Sequence, residues 1–172
     1  MTPLALAADV AIAAPSVTPP ASASEPRIVN VIDFEALGNG LTYSFNYERI
    51  FLTWNVALRA GASFLMYKVS TAQGAGNLTL STLPLVASYY VGPPRHKLEL
   101  GLGATILYTD ASSDAEGTKF GSSGFQVAAT GVIGYRYLPT RRGFTFGAGF
   151  TPLVSARKGF LPWGGANAGY AF

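Results

Sequence analysis

Large hydrophobic residues alternate with small or polar residues along most of the chain after Arg27. The segment 41–48, LTYSFNYE, is typical: its Leu, Tyr, Phe and Tyr fall on one face and its Thr, Ser, Asn and Glu on the other. The same alternation recurs over residues 54–66, 98–108, 125–137 and 144–150. A repeat of two residues is the spacing of a β-strand, whose side chains point to opposite faces. The pattern therefore predicts an all-β protein.

Glycine, proline and polar clusters divide this region into eight predicted strands. They cover residues 28–37, 41–51, 54–67, 78–91, 97–110, 123–138, 143–155 and 163–172. Gly38-Asn39-Gly40 is a tight-hairpin signal between the first two, although a bend in one long strand is the alternative and would give seven strands. Pro84 predicts a bulge or kink in the fourth strand, because proline donates no ladder hydrogen bond. Short turns at 51–53, 93–95 and 139–142 alternate with longer loops at 69–76, 111–122 and 157–162.

The chemistry of the two faces indicates a membrane barrel. One face is large and apolar, while the other is mostly Gly, Ala, Ser and Thr, and charged residues make up only 12% of the chain. A soluble sandwich would carry many Lys and Glu residues outside. Small side chains suit the interior of a small closed barrel whose apolar face meets lipid. We therefore predict an eight-stranded antiparallel up-and-down transmembrane β-barrel over residues 27–172.

Composition excludes several other classes. No stretch reaches the roughly 18 consecutive apolar residues of a spanning helix. The absence of cysteine excludes disulfides, thiolate metal sites and a lipoprotein anchor, and a scattered net charge of +3 does not favour nucleic acid. Residues 1–26 are apolar and then rich in Pro, Ala and Ser. Ala21-Ser22-Ala23 fits a signal-peptide cleavage site, but no basic residue precedes Arg27, so a signal peptide and a disordered leader both stay open.

The end of the chain carries a recognisable pattern. The ending AGYAF, with Tyr170 two residues before the terminal Phe172, resembles the assembly signal of outer-membrane β-barrel proteins. The strings EALGNGLTYSFNYER, LELGLGAT, GYRYLP, FGAGFTPL and PWGG are similar to small outer-membrane proteins of Bacteroidetes-type bacteria. The resemblance implies a Gram-negative outer membrane and, during insertion, the barrel-assembly machinery as a partner. It implies no activity.

Turn lengths and aromatic positions add an orientation. Outer-membrane barrels keep short turns on the periplasmic side, so we expect the short turns and both termini to be periplasmic. Five aromatic residues near predicted strand ends are expected at the lipid headgroup level: Trp54, Tyr89, Tyr135, Tyr137 and Trp163. Basic residues in or beside the short turns (Arg95, Lys97, Arg141 and Arg142) are expected to meet phosphate headgroups or water.

Few ionisable residues fall at inward positions. They are Asp33, Glu35, Glu48, Arg59, Glu99 and Arg136. Unpaired charge in a narrow lumen is costly, so we expect an arginine–carboxylate network that fills the barrel rather than a catalytic or proton-relay site. The interior of an eight-stranded barrel is about filled by side chains, which disfavours a solute pore.

Candidate catalytic residues are weak. The only histidine, His96, lies in a predicted short turn with no serine to activate. Asp110, Asp114 and Glu116 lie close together in one predicted outer loop and could bind a divalent cation, although a solvated acidic loop is favoured. We expect no catalytic residue, metal or cofactor. The predicted function is structural, or binding through the outer loops or to an envelope protein, with membrane lipid around the barrel. An outer-membrane enzyme acting on lipid and a soluble lipocalin-like ligand binder are the alternatives.

Overall fold

The computed structural model describes residues 28–71, 74–115, 118–156 and 159–172, so the predicted signal segment lies outside the described residues. Ten strand segments are present: β1 (Ile28–Leu37), β2 (Tyr43–Phe51), β3 (Val56–Thr71), β4 (Gly74–Val91), β5 (His96–Ala115), β6 (Thr118–Tyr137), β7 (Gly143–Phe150), β8 (Leu153–Ser155), β9 (Gly159–Leu161) and β10 (Gly164–Ala171). Residues 151–152 separate β7 from β8, and residues 162–163 separate β9 from β10. The ten segments thus build eight strands of the wall.

The sheet closes on itself. Consecutive strands pair antiparallel from β1 to β7, β7 pairs with β10, and β10 returns to β1 with Val31 opposite Ala171. Closure leaves no edge through this part of the wall, which is what a sheet in lipid requires. The predicted eight-stranded antiparallel up-and-down barrel is confirmed.

The first hairpin settles the strand count. β1 and β2 are separate, paired strands with Ile28 opposite Phe51 and Ala36 opposite Tyr43. Between them, Gly38–Gly40 forms a 3-10 turn that folds into the barrel and is buried. Pro84 interrupts its ladder, as a residue without a backbone donor predicts, but of the predicted bulge or kink the bulge is wrong. The β3–β4 ladder lacks the two pairs around Pro84 but resumes in the same register, so no residue is inserted.

Two predicted loops are also wrong. The β3–β4 ladder continues to Thr71 opposite Gly74, and the β5–β6 ladder continues to Ala115 opposite Thr118. Ladder hydrogen bonds join backbone atoms, so a Ser-, Thr- and Gly-rich sequence extends two strands that are already in register. As a result, β3, β4, β5 and β6 extend well beyond the other strands of the barrel. We call this far end the hairpin end, and the end with the turns 52–55, 92–95 and 138–142 the short-turn end.

The two faces of the wall follow the predicted alternation. Large apolar side chains point outward and are exposed, among them Leu102 at 77% and Phe144 at 80%. Inward positions hold buried polar or small residues, including Ser44, Thr105 and Thr145. Across the described ranges, no helix is long and apolar enough to cross a membrane.

Candidate functional site

An apolar layer closes the barrel at the short-turn end. It consists of the buried side chains Val31, Ile50, Ala57, Tyr90, Leu138 and Ala171. These residues lie within three positions of strand ends, where the lumen meets the turns. Only Tyr90 among them carries a polar group, and its hydroxyl points up into the next layer.

Glu48 is the centre of that next layer. Its Oε1 accepts hydrogen bonds from the Tyr90 hydroxyl at 2.6 Å and from Arg59 Nη2 at 3.4 Å. Its Oε2 accepts from Arg136 Nη2 at 2.8 Å. Arg59 Nη2 also donates to Glu99 Oε1 at 2.6 Å, and Ser88 Oγ donates to the same oxygen at 2.8 Å. One carboxylate thus bridges two buried guanidinium groups.

Arg136 extends the network to the opposite wall. Its Nη2 donates to Asp33 Oδ2 at 3.1 Å, and its Nη1 donates to Asn167 Oδ1. Asn46 Nδ2 donates to the other Asp33 oxygen at 2.9 Å. Two glycines make room for these side chains. A Cβ at Gly61 would lie 1.9 Å from Asn46 Oδ1, and one at Gly147 would lie 3.1 Å from Arg136 Cδ.

The buried Gly38–Gly40 turn forms the third layer. Thr105 Oγ1 donates to the Asn39 carbonyl at 2.9 Å, Thr130 Oγ1 donates to Asn39 Oδ1 at 2.7 Å, and Thr82 Oγ1 donates to the Gly40 carbonyl at 3.1 Å. These three threonines lie on β4, β5 and β6. The turn therefore crosses the lumen and is fastened to the far wall. Glu35 lies beneath it and accepts from Ser44 Oγ at 3.2 Å.

The inward fold of this turn strains its flanks. Leu37 and Leu41 have φ of 62° and 73°, a region that bulky side chains rarely adopt. Such strain persists only where surrounding contacts compensate for it. Here the threonine hydrogen bonds do so, and Trp163 Nε1 donates to the Leu41 carbonyl at 3.1 Å.

The layers fill the described lumen. All six inward ionisable residues predicted from the sequence lie in this space and are at most 5% exposed. Beside Glu35, Arg59 and Glu99 remains a void of about 10 Å³, room for about one water molecule. A lipocalin-like binder needs an internal cavity as large as its ligand, whereas the void beside Glu35 has room for about one water molecule. Every carboxylate in the network accepts a hydrogen bond from a protein side chain.

Above the turn, β3, β4, β5 and β6 pair with one another but not with the other strands of the barrel. β2 pairs with β3 only as far as Ala62, so residues 63–71 of β3 pair on one side only. Residues 118–127 of β6 likewise pair with β5 but with neither β7 nor β8. At the start of the β3 edge, the Tyr43 hydroxyl donates to the Phe64 carbonyl. We call this four-stranded extension the protruding sheet.

The inner face of the protruding sheet carries an apolar patch on β3, β4 and β5, whereas Thr109, Ser122 and Gln126 lie at its other inward positions. Strand alternation places five large side chains there: Leu65, Tyr67, Leu78, Leu80 and Leu107. The register brings Leu65 opposite Leu80 and Tyr67 opposite Leu78. Tyr67 is 60% exposed and Leu78 46%. The sequence reasoning missed this patch. The signal was present in LTLSTLPL (residues 78–85), where the leucines change from the inner to the outer face after Leu80.

The predicted interface aromatics divide between the two ends. Near the short-turn end, exposed Trp54 stacks on Phe51 with centroids 5.8 Å apart, Tyr89 is exposed on β4, and Tyr137 stacks on Phe146 at 5.0 Å. The Tyr135 hydroxyl lies 2.7 Å from His96 Nδ1. Trp163 instead lies at the hairpin end, on the inward turn. His96 is the exposed first residue of β5 rather than a turn residue.

The remaining predicted residues are the acidic residues Asp110, Asp114 and Glu116 and the aromatic residues at the C-terminus. Asp110 is exposed on β5 opposite Ser123, in a strand and not in a loop. The side chains of Asp114 and Glu116 lie outside the described part of the structure. Tyr170 and Phe172 point outward and are about half exposed, and the Phe172 backbone exchanges two hydrogen bonds with Asn30.

Comparison with known proteins identifies the fold. No protein-family model and no curated protein sequence matches the chain. The N-terminal β-barrel domain of Pseudomonas aeruginosa OprF matches with a TM-score of 0.54 at 19% identity, over 85% of this chain and 98% of that one. Ail, the attachment invasion locus protein of Yersinia pestis, matches with a TM-score of 0.52 at 13% identity, over 84% and 95%. Both are small barrels, so the chain shares their fold, while its resemblance to Bacteroidetes-type proteins stays a prediction.

Proposed function

We propose that this protein is a non-enzymatic barrel of a bacterial outer membrane that binds a partner protein through its protruding sheet. The observation that carries the proposal is the apolar patch on the inner face of that sheet, above a lumen that side chains fill. An exposed apolar patch rimmed by polar residues is typical of an interaction site. The barrel below it acts as the membrane anchor.

The geometry suggests how the partner binds. The one-sided edges of β3 and β6 present backbone groups to which an extended segment can add as a further strand. Leu65, Leu80 and Leu107 then offer apolar contacts on the inner face. Main-chain pairing supplies affinity, and the leucine surface selects apolar side chains in the partner.

Orientation is part of the proposal. The short-turn end faces the periplasm with both termini, and the protruding sheet faces the exterior, as turn lengths in outer-membrane barrels suggest. The chain has no cysteine, so single replacements give clean labels. We expect a membrane-impermeant maleimide to label Ser122→Cys in intact cells and to leave Thr140→Cys unlabelled until the cells are lysed. The reverse labelling pattern would show that the barrel has the opposite orientation in the membrane.

Photo-crosslinking tests the binding face. Tyr67 and Met66 are neighbours on β3 with similar exposure, 60% and 58%, but they point to opposite faces. A photoreactive phenylalanine analogue replacing Tyr67 should form protein adducts in intact cells, and the same analogue replacing Met66 should form few. Adducts from Tyr67 should disappear when Leu78 is changed to Ser. Equal adducts from both positions, or none from either, would reject the inner face as the binding surface.

A further inference from the structure

Arg49 is a cation on the outer wall of the barrel, near the short-turn end. Its outward neighbours on β2 are Tyr47 and Phe51, and its guanidinium lies over the Phe51 ring, 5.8 Å from the centroid. Within the described ranges, Arg49 forms no ion pair. The described Asp and Glu side chains of this half of the barrel are buried in the lumen behind it. In the described part of the chain, no Asp or Glu side chain therefore pairs with Arg49.

An apolar groove of about 550 Å³ lies beside Arg49 on the same wall. The register explains its shape. Leu58 is opposite both Arg49 and Ala87, and Ala60 is opposite both Tyr47 and Leu85. Two alanines are thus set between larger side chains, which leaves a channel with Ala60 and Ala87 on its floor. Leu102, which is opposite Ala87 on β5, forms the side of the groove farthest from Arg49.

Arg49 lies near a strand end, where a transmembrane strand is expected to meet the lipid headgroups. Arg49 lies two residues from the end of β2, which at a rise of about 3.4 Å per residue is about 7 Å along the strand. A long basic side chain at this level extends its charged group to the membrane interface while its stem stays in apolar surroundings. The planar guanidinium also matches the geometry of a phosphate group, to which it can donate two parallel hydrogen bonds.

We propose that Arg49 and this groove form a binding site for one anionic glycerophospholipid. The lipid phosphate pairs with Arg49, and one acyl chain lies along Ala60 and Ala87. A net negative headgroup such as phosphatidylglycerol is preferred, because the ammonium of a zwitterionic headgroup competes for the same phosphate. The apolar groove selects a lipid over free phosphate. This site is separate from the protruding sheet and does not depend on partner binding.

Native mass spectrometry of the detergent-refolded full chain tests the site. We expect the wild type to retain one phosphatidylglycerol more tightly than phosphatidylcholine. Arg49→Gln should weaken phosphatidylglycerol binding about tenfold, the scale of a lost charge-assisted hydrogen bond. Ala87→Leu, which fills the groove and changes no charge, should also weaken it severalfold. The matched control is Lys68→Gln, which removes one positive charge from an exposed position near the hairpin end and should leave binding within about twofold.

The controls make the outcome decisive. Equal losses in Arg49→Gln and Lys68→Gln would reject the site, because the lipid would then be bound by the overall positive charge of the protein. Wild-type binding in both Arg49→Gln and Ala87→Leu, or equal retention of phosphatidylcholine, would reject it as well. If Arg49→Gln fails to fold, Ala87→Leu alone tests the groove, because its binding is then compared directly with that of the wild type.

Discussion

The inward side chains at the two ends of the barrel have opposite surroundings. Toward the short-turn end, every strand has two neighbours and the inward side chains bond to one another, as Glu48 does with Arg59 and Arg136. Toward the hairpin end, four strands continue without the rest of the wall. Their inner face carries leucines and Tyr67 with no opposite wall to cover them.

This difference separates what the fold requires from what it does not. In the closed half, lipid outside and a narrow lumen inside dictate which residues can occupy each face. In the protruding sheet, no opposite wall narrows the space in front of the inner face, and an inner face that meets water would favour polar residues. Apolar residues on its inner face are therefore not explained by folding, which is why we assign them to binding.

The largest expected effect is a loss of stability when a buried ion-pair partner is removed from the closed half of the barrel. Arg136→Ala leaves Asp33 and Glu48 buried without their common partner. Removing one partner of a buried ion pair costs about 3–5 kcal/mol. We expect a loss of this size in the free energy of unfolding, measured by urea titration in detergent micelles. Arg142→Ala, at an exposed turn, should change it by less than about 0.5 kcal/mol. A loss from Arg136→Ala as small as that of the control would mean that the network contributes little to stability.

The same substitution placed in both regions sharpens the comparison. Leu102→Arg puts a charge on the lipid-facing wall and should cost about 2–4 kcal/mol if position 102 lies near the bilayer midplane. Leu78→Arg, on the protruding sheet, should cost about 0.5 kcal/mol or less because both its faces meet water. Urea titration in lipid vesicles measures both. Similar costs would show that the lipid layer reaches the protruding sheet.

A smaller effect is expected at the boundary between the regions. Asn39→Ala removes the acceptor for Thr130 but keeps the carbonyl that binds Thr105. The Thr130 hydroxyl then keeps only the Pro152 carbonyl, 3.3 Å away, as its acceptor, and the loss of one hydrogen bond costs about 0.5–1.5 kcal/mol. We expect a loss in that range by the same urea titration, and almost none from Asn77→Ala on the exposed β4 extension. A neutral Asn39→Ala would imply that the turn is held by its backbone contacts alone.

The sequence predicted the closed half better than the protruding one, for a physical reason. Alternation between lipid and lumen is a strong local signal, so it located the strands, the outward Leu102 and the inward Arg59. The inward fold of Gly38–Gly40 depends on threonines 42 to 91 residues away, which no local pattern encodes. Hairpin extension was missed because backbone pairing needs no apolar side chains. The phase change after Leu80 was readable but is only a few residues long.

The terminal aromatic residue tests recognition during assembly rather than folding. Phe172→Ala keeps the two backbone hydrogen bonds to Asn30 and removes only a half-exposed ring. We expect the free energy of unfolding in detergent to fall by less than about 1 kcal/mol. If Tyr170 and Phe172 form the assembly signal, the amount of folded protein inserted in cells should fall severalfold, since only that route uses the assembly machinery. Phe144→Ala removes a more exposed ring from the same surface and should leave insertion unchanged. Equal insertion of both variants would make Phe172 an ordinary interfacial side chain.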